Sequence, residues 1–304
     1  MKKIPVFVLT VKNTSREAQI RKRLNFLKIN FKFVYAINGY NKINYKYLNK
    51  IYDKNTSFRL LGRYLTYPEI SNAEGHLRIC KLIIRKKINN AIIMEDDCYP
   101  SKELKQWLKL SYYFNNKNFD IIQLYHKFGL ASKKPVQIVK NFSIYRTCFS
   151  IPYATCYQIS IKACKLFVKK NKVITRNADW PIDLYNSTLK QFIALPFVTS
   201  VHFDHEKTSC QKYLWDGYRS VKKIKNIIPF YNILSAIYYI LHIPFIFGKF
   251  KDYSFYKENY LLRKIYFVKN LFSKKYINLE KTFYYKKYYP NDLQINLKKL
   301  ILKN

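Results

Sequence analysis

Residues 91–94, AIIM, form an uninterrupted apolar run that Asn89 and Asn90 introduce and that three consecutive carboxylates, Glu95, Asp96 and Asp97, bring to an end. A helical period precedes it over 73–87, with Leu77, Cys80, Ile83 and Ile84 spaced to face inward. A short run of this kind, entered from a helix through a polar turn, suits a parallel strand covered on both faces. The same alternation is seen from the first residues onward. The β-branched stretch 3–11 reads as a strand, 13–15 as a turn, and Ile20, Leu24 and Leu27 as one face of a helix. A second strand over 32–37 closes on Asn38 and Gly39, and further strands are expected at 119–125 and 153–160, the last followed by a helix over 162–170. The predicted class is therefore α/β, an open, Rossmann-type, mostly parallel sheet with flanking helices.

Three adjacent acids are unexpected in a chain with 56 Lys and Arg against 18 Asp and Glu and a formal net charge of +38. Part of that excess is attributable to codon bias, because the chain is also crowded with Asn, Ile, Tyr and Phe. In extended backbone alternate side chains share a face, so Glu95 and Asp97 are expected together and Asp96 opposite. Ligands of open α/β sheets bind just past the carboxyl ends of strands. Neighbouring anions there repel one another unless a cation joins them, and a hard divalent ion that bridges to substrate phosphates would do so. The plainer alternative is a solvated acidic loop before a helix starting near Ser101, or pairing with the abundant lysines.

Composition limits the remaining possibilities. At 304 residues with 49% hydrophobic and 24% charged content, the chain is long enough for one full-sized domain and a smaller extension. The six cysteines show no C-x-x-C pair and read as reduced, mostly buried thiols, and the Met-Lys-Lys start leads into a strand, so a cytoplasmic location is expected. Residues 227–248 contain no Asp, Glu, Lys or Arg and are flanked by lysines. Their prolines and polar residues suit a segment lying in a membrane interface or buried in a core more readily than a span. From residue 221 on there are 17 Lys and Arg against four Asp and Glu. The expected division is 1–217 as the main domain and 218–304 as a basic, aromatic, helical extension that meets an anionic membrane or the acceptor.

Five motifs in order are similar to those of glycosyltransferase family 25, the lipooligosaccharide galactosyltransferase type. In VFVLTVKNTSR, Arg16 is kept, while Thr10 and Val11 stand where the family has Asn-Leu. Ala36, Ile37, Asn38 and Gly39 resemble A-I-D-G, and EISNAEGHLRIC resembles E-I-G-C-x-x-S-H-x-x-x-W, keeping Glu69, Ile70 and His76 but not Ser71, Asn72, Gly75 and Cys80. Met94, Glu95, Asp96 and Asp97 match L-E-D-D, and YATCYQISIKACKLF with NADWPIDLY is similar to the closing strand, Lys-Ala helix and p-x-D segment. The resemblance covers about residues 3–209.

It implies a GT-A-like fold, a nucleotide-sugar donor, inversion at the sugar carbon and a growing glycan as acceptor. UDP-galactose or a related UDP-sugar is then the expected donor, and a lipid-linked surface glycan at the inner face of the cytoplasmic membrane the expected acceptor. Asp97 with Glu95 or Asp96 would hold Mn2+ or Mg2+ against the diphosphate. Thr10, Arg16, Ala36, Asn38, His76 and Asp96 would line the donor. The acceptor hydroxyl needs a carboxylate base, for which Asp183 and Asp179 are the candidates. They stand four apart around Trp180 and Pro181, and Asp179 could instead cap a helix over 182–189. His76 could touch donor phosphate, orient an acidic ligand or be a core histidine. His202, Asp204 and His205 suit at most one extra ligand beside the site. Trp107, Trp180 and Trp215 are expected in the core. The competing function is a non-enzymatic basic protein binding nucleic acid or anionic membrane, as Lys-Tyr stretches such as KTFYYKKYYP would allow. No RNA-recognition sheet motif accompanies them and the basic residues are spread through the chain, so nucleic acid is the less expected partner.

Overall fold

In a computed structural model the structure describes residues 4–61, 64–115, 119–125, 130–132, 134–147, 153–182, 184, 187–201 and 276–278. The chain begins with β1 (Val6–Thr10), α1 (Ser15–Phe26), β2 (Lys32–Tyr35), α2 (Tyr45–Lys50), α3 (Lys54–Leu61), α4 (Tyr67–Arg85), β3 (Asn90–Glu95) and β4 (Cys98–Pro100). It continues with α5 (Lys102–Asn115), β5 (Ile121–Gln123), β6 (Leu130–Ser132), β7 (Gln137–Val139), β8 (Phe142–Arg146), β9 (Cys156–Ser160), α6 (Ile161–Lys170), β10 (Gln191–Leu195), β11 (Thr199–Val201) and β12 (Tyr276–Asn278).

Eight strands form the main sheet in the order β2-β1-β3-β9-β5-β10-β8-β7. Strands β2, β1 and β3 run parallel, as do β5 and β10, while β9 is antiparallel to both of its neighbours and β8 to both of its own. Six strands thus share one direction and two are reversed, a mixed but mostly parallel sheet. The expectation for 91–94 needs one correction: β3 has a parallel neighbour on one side only, because β9 reaches its other edge from the opposite end of the sheet.

Period-two alternation divides the core into two layers. Val6, Val8, Ile92 and Met94 pack with Ile20 and Leu24 of α1 and with Leu104, Trp107 and Leu110 of α5. Phe7, Leu9, Ala91 and Ile93 pack on the other face with α4, through Ile70, Leu77, Ile79 and Ile83, and with α6, through Ala163, Cys164 and Phe167. Both faces of β3 are covered, which is why its sequence is apolar throughout.

Local chemistry sets where the helices begin. Thr14 caps α1 by accepting from the N–H of Glu17. Thr66 and Glu69 form a reciprocal capping box on α4, with Pro68 in the first turn, so this helix starts six residues before the apolar period that betrays it. Gly75 lets α4 approach the sheet: a Cβ there would lie 2.6 Å from Leu9 Cδ1. Of the helix expected over 182–189, the described residues 182, 184 and 187–189 show none; 182, 184, 187 and 188 lie in bends. Residues 276–278 return to the main domain, where β12 pairs antiparallel with β6. Among the described residues no helix is long and apolar enough to cross a membrane; residues 227–248 and Trp215 lie outside them.

Cys80, Cys98, Cys156 and Cys164 are buried free thiols, and Trp107 and Trp180 are core residues. Trp107 meets Phe142 edge-to-face at 5.1 Å and donates its indole N–H to Gln158 Oε1 at 3.0 Å. Trp107→Ala should therefore cost about 3–5 kcal/mol, since it opens a cavity and deprives a buried amide of its donor. Chemical denaturation measures this, and a loss below about 1 kcal/mol would show that the two layers do not depend on this residue.

Candidate active site at the carboxyl edge of the sheet

The carboxyl ends of β1, β3 and β5 and the amino end of the reversed strand β9 meet along one edge. Register places Leu9 beside Glu95 and Met94 beside Cys156. Beyond it the Glu95 N–H donates to Thr155 O at 2.8 Å, and the Leu124 N–H to Cys156 O at 3.0 Å. Asp96 and Asp97 form the turn between β3 and β4, and β4 is fixed by antiparallel pairing with β11.

Glu95 and Asp96 leave β3 on opposite faces, as the alternation predicts. Glu95 turns toward α4, where its Oε1 accepts from Asn72 Nδ2 at 2.8 Å and lies 3.0 Å from His76 Nε2. Asp96 turns toward α1. Its Oδ2 accepts from the Thr10 hydroxyl at 2.7 Å, and its Oδ1 pairs with the Arg16 guanidinium at 3.3 Å. Burial pushes the Asp96 carboxyl up to about 6, and the charge of Asp97 adds to the rise, while Arg16 and Thr10 act the other way. Asp97 is itself 7% exposed.

Other expected residues lie on the same edge. The Ala36 N–H donates to Thr10 O at 2.8 Å, which brings the exit of β2 beside the end of β1. Asn38 turns the chain by accepting the Tyr40 N–H at 2.9 Å. Gly39 is required there because a Cβ would meet Pro68 Cα at 2.6 Å, so the loop lies directly on the start of α4. Ser71 reinforces that contact by donating to Ile37 O.

Asp179 reaches the edge from another direction. Its Oδ1 accepts the Tyr153 N–H at 3.2 Å, and Tyr153 O accepts from Gln123 Nε2 at 2.9 Å. Tyr153 has φ 81°, a conformation that bulky side chains avoid and that persists where surrounding contacts impose it. Its ring lies 6.1 Å from that of Tyr125, edge-to-face. Burial pushes the Tyr125 hydroxyl well up, and the neighbouring Tyr153 and Asp97 add to the rise. Asp179 is thus tied through Tyr153 to Tyr125, whose hydroxyl feels the charge of Asp97. Asp183, His202, Asp204 and His205 lie outside the described residues.

The residue roles legible in the sequence omitted Asn72, Tyr125, Tyr153 and Tyr157. Asn72 was visible only as a departure from the family pattern. Among the described residues no group of three or more His, Cys, Asp or Glu side chains could hold a metal ion by itself.

Residues 3–185, more than half of the chain, match the sequence profile of glycosyltransferase family 25 (LPS biosynthesis protein). The chain belongs to glycosyltransferase family 25. Membership in a glycosyltransferase family implies a sugar donor and a glycan acceptor. No curated protein matches the chain. Among solved structures, this family 25 chain is similar to A197 from STIV, with 12% identity over 66% of this chain and 84% of that one and a TM-score of 0.34. It is also similar to a glycosyltransferase involved in the glycosylation of the major capsid of PBCV-1, with 9% identity, 53% of this chain and 63% of that one covered, and a TM-score of 0.28. It thus spans less than two thirds of the latter. Similarities this distant say nothing of the activity.

The environment of Asp96 predicts a pH effect. A carboxyl raised from its ordinary 3.8 to about 6 contributes stability that is fully present below 3.8 and lost as pH rises through 6. Carboxyl 13C titration in chelator should show Asp96 centred near that raised value, and Arg16→Leu should move the midpoint higher. A midpoint at the ordinary value, or one indifferent to Arg16→Leu, would contradict the geometry.

Proposed function

We propose that the chain is a metal-dependent, inverting glycosyltransferase with a GT-A-like donor domain, moving galactose from UDP-galactose to a lipooligosaccharide or other surface glycan. The observation that carries this is the placement of Glu95, Asp96 and Asp97 at the carboxyl edge of β3, where open α/β sheets bind their ligands, in a chain whose family transfers sugars.

The residues present fit a divalent cation of the Mg2+ or Mn2+ type. Such ions take one or two carboxylates together with substrate phosphates and water, so a third protein ligand is not needed. Both oxygens of Asp96 are engaged by Thr10 and Arg16, which assigns it to fixing the turn. Glu95 and Asp97 would then hold the ion. When bound, the cation would neutralise charge developing on the departing diphosphate. The chain's own residues supply the remaining functions. Arg16 and Thr10 hold the turn, Ala36 and Asn38 border the nucleoside side of the edge, and a carboxylate takes the proton from the acceptor hydroxyl on the side of the anomeric carbon away from the leaving group. Asp183 is the proposed base. The N–H of Tyr153 gives Asp179 a structural task, which makes it the alternative.

A lipid-linked acceptor is met at the inner face of the cytoplasmic membrane. We assign the basic 218–304 region to reversible attachment among anionic headgroups, each basic residue near the surface contributing about 1 kcal/mol. Binding of the full chain to anionic vesicles should be released by high salt, and equal binding to neutral vesicles would contradict this role.

Turnover of UDP-, GDP- and CMP-sugars, with manganese and with chelator, tests the catalytic proposal. UDP-galactose should be consumed only with the cation, and Asp97→Asn should lower turnover by on the order of a hundredfold or more without loss of folding. Full activity in chelator removes the cation from the mechanism. Asp183→Asn should give a similar loss with donor affinity nearly unchanged. If Asp179→Asn gives that result and Asp183→Asn does not, the two assignments exchange.

A further inference from the structure

Behind the carboxylate edge, between α4 and β9, a buried polar chain leads away from Glu95. His76 is 4% exposed and Tyr157 1%. The two imidazole nitrogens are both engaged: Nε2 lies 3.0 Å from Glu95 Oε1 and Nδ1 2.8 Å from the Tyr157 hydroxyl. The rings lie nearly parallel, 17° apart with centroids at 5.8 Å. Trp180 closes the far side, packing edge-to-face on Tyr157 at 5.2 Å.

Hydrogen-bond chemistry then fixes the direction of each bond. An ionised carboxylate only accepts, so the proton between His76 and Glu95 belongs to Nε2. Burial keeps the Tyr157 hydroxyl protonated by pushing its pKa well above the usual phenol range, and a hydroxyl with its proton in hand can donate to a bare Nδ1. The outcome is one tautomer, with the ring fixed at both ends. Asn72 donates to the same oxygen as His76 does. Two donors from α4 converging on Oε1 hold the carboxylate in one orientation.

We infer that Tyr157 is a positioning residue: through His76 it fixes the orientation of the Glu95 carboxylate and so sets the affinity of the site for its divalent cation. The inference rests on the cation role proposed above for Glu95. Hydrogen-bonding partners behind a metal ligand are commonly worth 10–100-fold in metal affinity. Asn72 acts beside Tyr157 and limits the loss when either is removed alone.

Two readouts on the full chain test this, using Tyr157→Phe, which removes one oxygen and keeps the ring against Trp180. Imidazole 15N shifts in chelator, assigned with His76→Gln, should show His76 in wild type protonated on Nε2 and bare on Nδ1. In Tyr157→Phe the Nε2 proton should stay, and the Nδ1 resonance should move to that of a bare nitrogen without a hydrogen bond. The dissociation constant for Mn2+, read from the paramagnetic resonance of the free ion, should rise by at least about tenfold in the variant. A wild-type His76 carrying its proton on Nδ1 overturns the inference without reference to any metal. A variant that keeps the wild-type affinity for Mn2+ also overturns it. Wild-type protein that binds no Mn2+ defeats the cation role of Glu95 itself, and the part of Tyr157 in it; wild-type binding that Tyr157→Phe leaves intact defeats Tyr157 alone.

Discussion

Three carboxylates at the end of a fully buried strand repel one another and resist desolvation, and the surrounding structure is arranged to hold them there. Two of them are held from opposite faces of the sheet. Asp96 is held by the end of β1 and the first turn of α1, through Thr10 and Arg16. Glu95 is held by the middle of α4, through Asn72 and His76. Each partner depends on packing elsewhere. Arg16 is placed by the Thr14 cap, and α4 is held by its capping box and by the close approach of Gly75 to Leu9. The apolar core fixes the strands, the strands fix the edge, and the edge gathers charge where a diphosphate could be bound.

Much of this was legible before any coordinates. The alternation of short apolar runs with helical periods located β1, α1, β2, α4, β3, β5, β9 and α6, because their apolar spacing reports their geometry, and a helix was expected only from near Ser101, where α5 begins. What failed did so for physical reasons. Residues 182–189 have a helical cap signal in Asp179, but that carboxylate is used by the N–H of Tyr153, a long-range contact that no local propensity reveals. The reversed direction of β9 was hidden, since an apolar strand buried on both faces reads the same in either orientation. Strand β10 and the β7–β8 hairpin went unrecognised beside stronger signals, as did the return of residues 276–278 to pair with β6.

The departures from the family pattern are informative in the same way. Asn72 and Gly75 differ from the expected residues, yet one binds Glu95 and the other makes room for Leu9. Ser71 ties α4 to the loop after β2. A motif read as letters treats these as losses. In the structure they are contacts between α4, the sheet and the site, and they leave the positions of Glu69, Ile70 and His76 intact. The candidate site was thus legible in its charged residues with Thr10 and His76, and not in Asn72 or the neighbouring tyrosines, since Tyr125, Tyr153 and Tyr157 resemble ordinary core aromatics until their hydroxyls and backbone are placed.

The central claim is that the carboxyl edge of β3 binds a nucleoside diphosphate through a divalent cation. Titration calorimetry of UDP against the full chain addresses it most directly, in manganese, in chelator, and with Glu95→Gln beside wild type. The account predicts UDP binding in manganese that falls by at least about tenfold in chelator and likewise in Glu95→Gln. UDP affinity that is equal in manganese and chelator, and indifferent to Glu95→Gln, would contradict it.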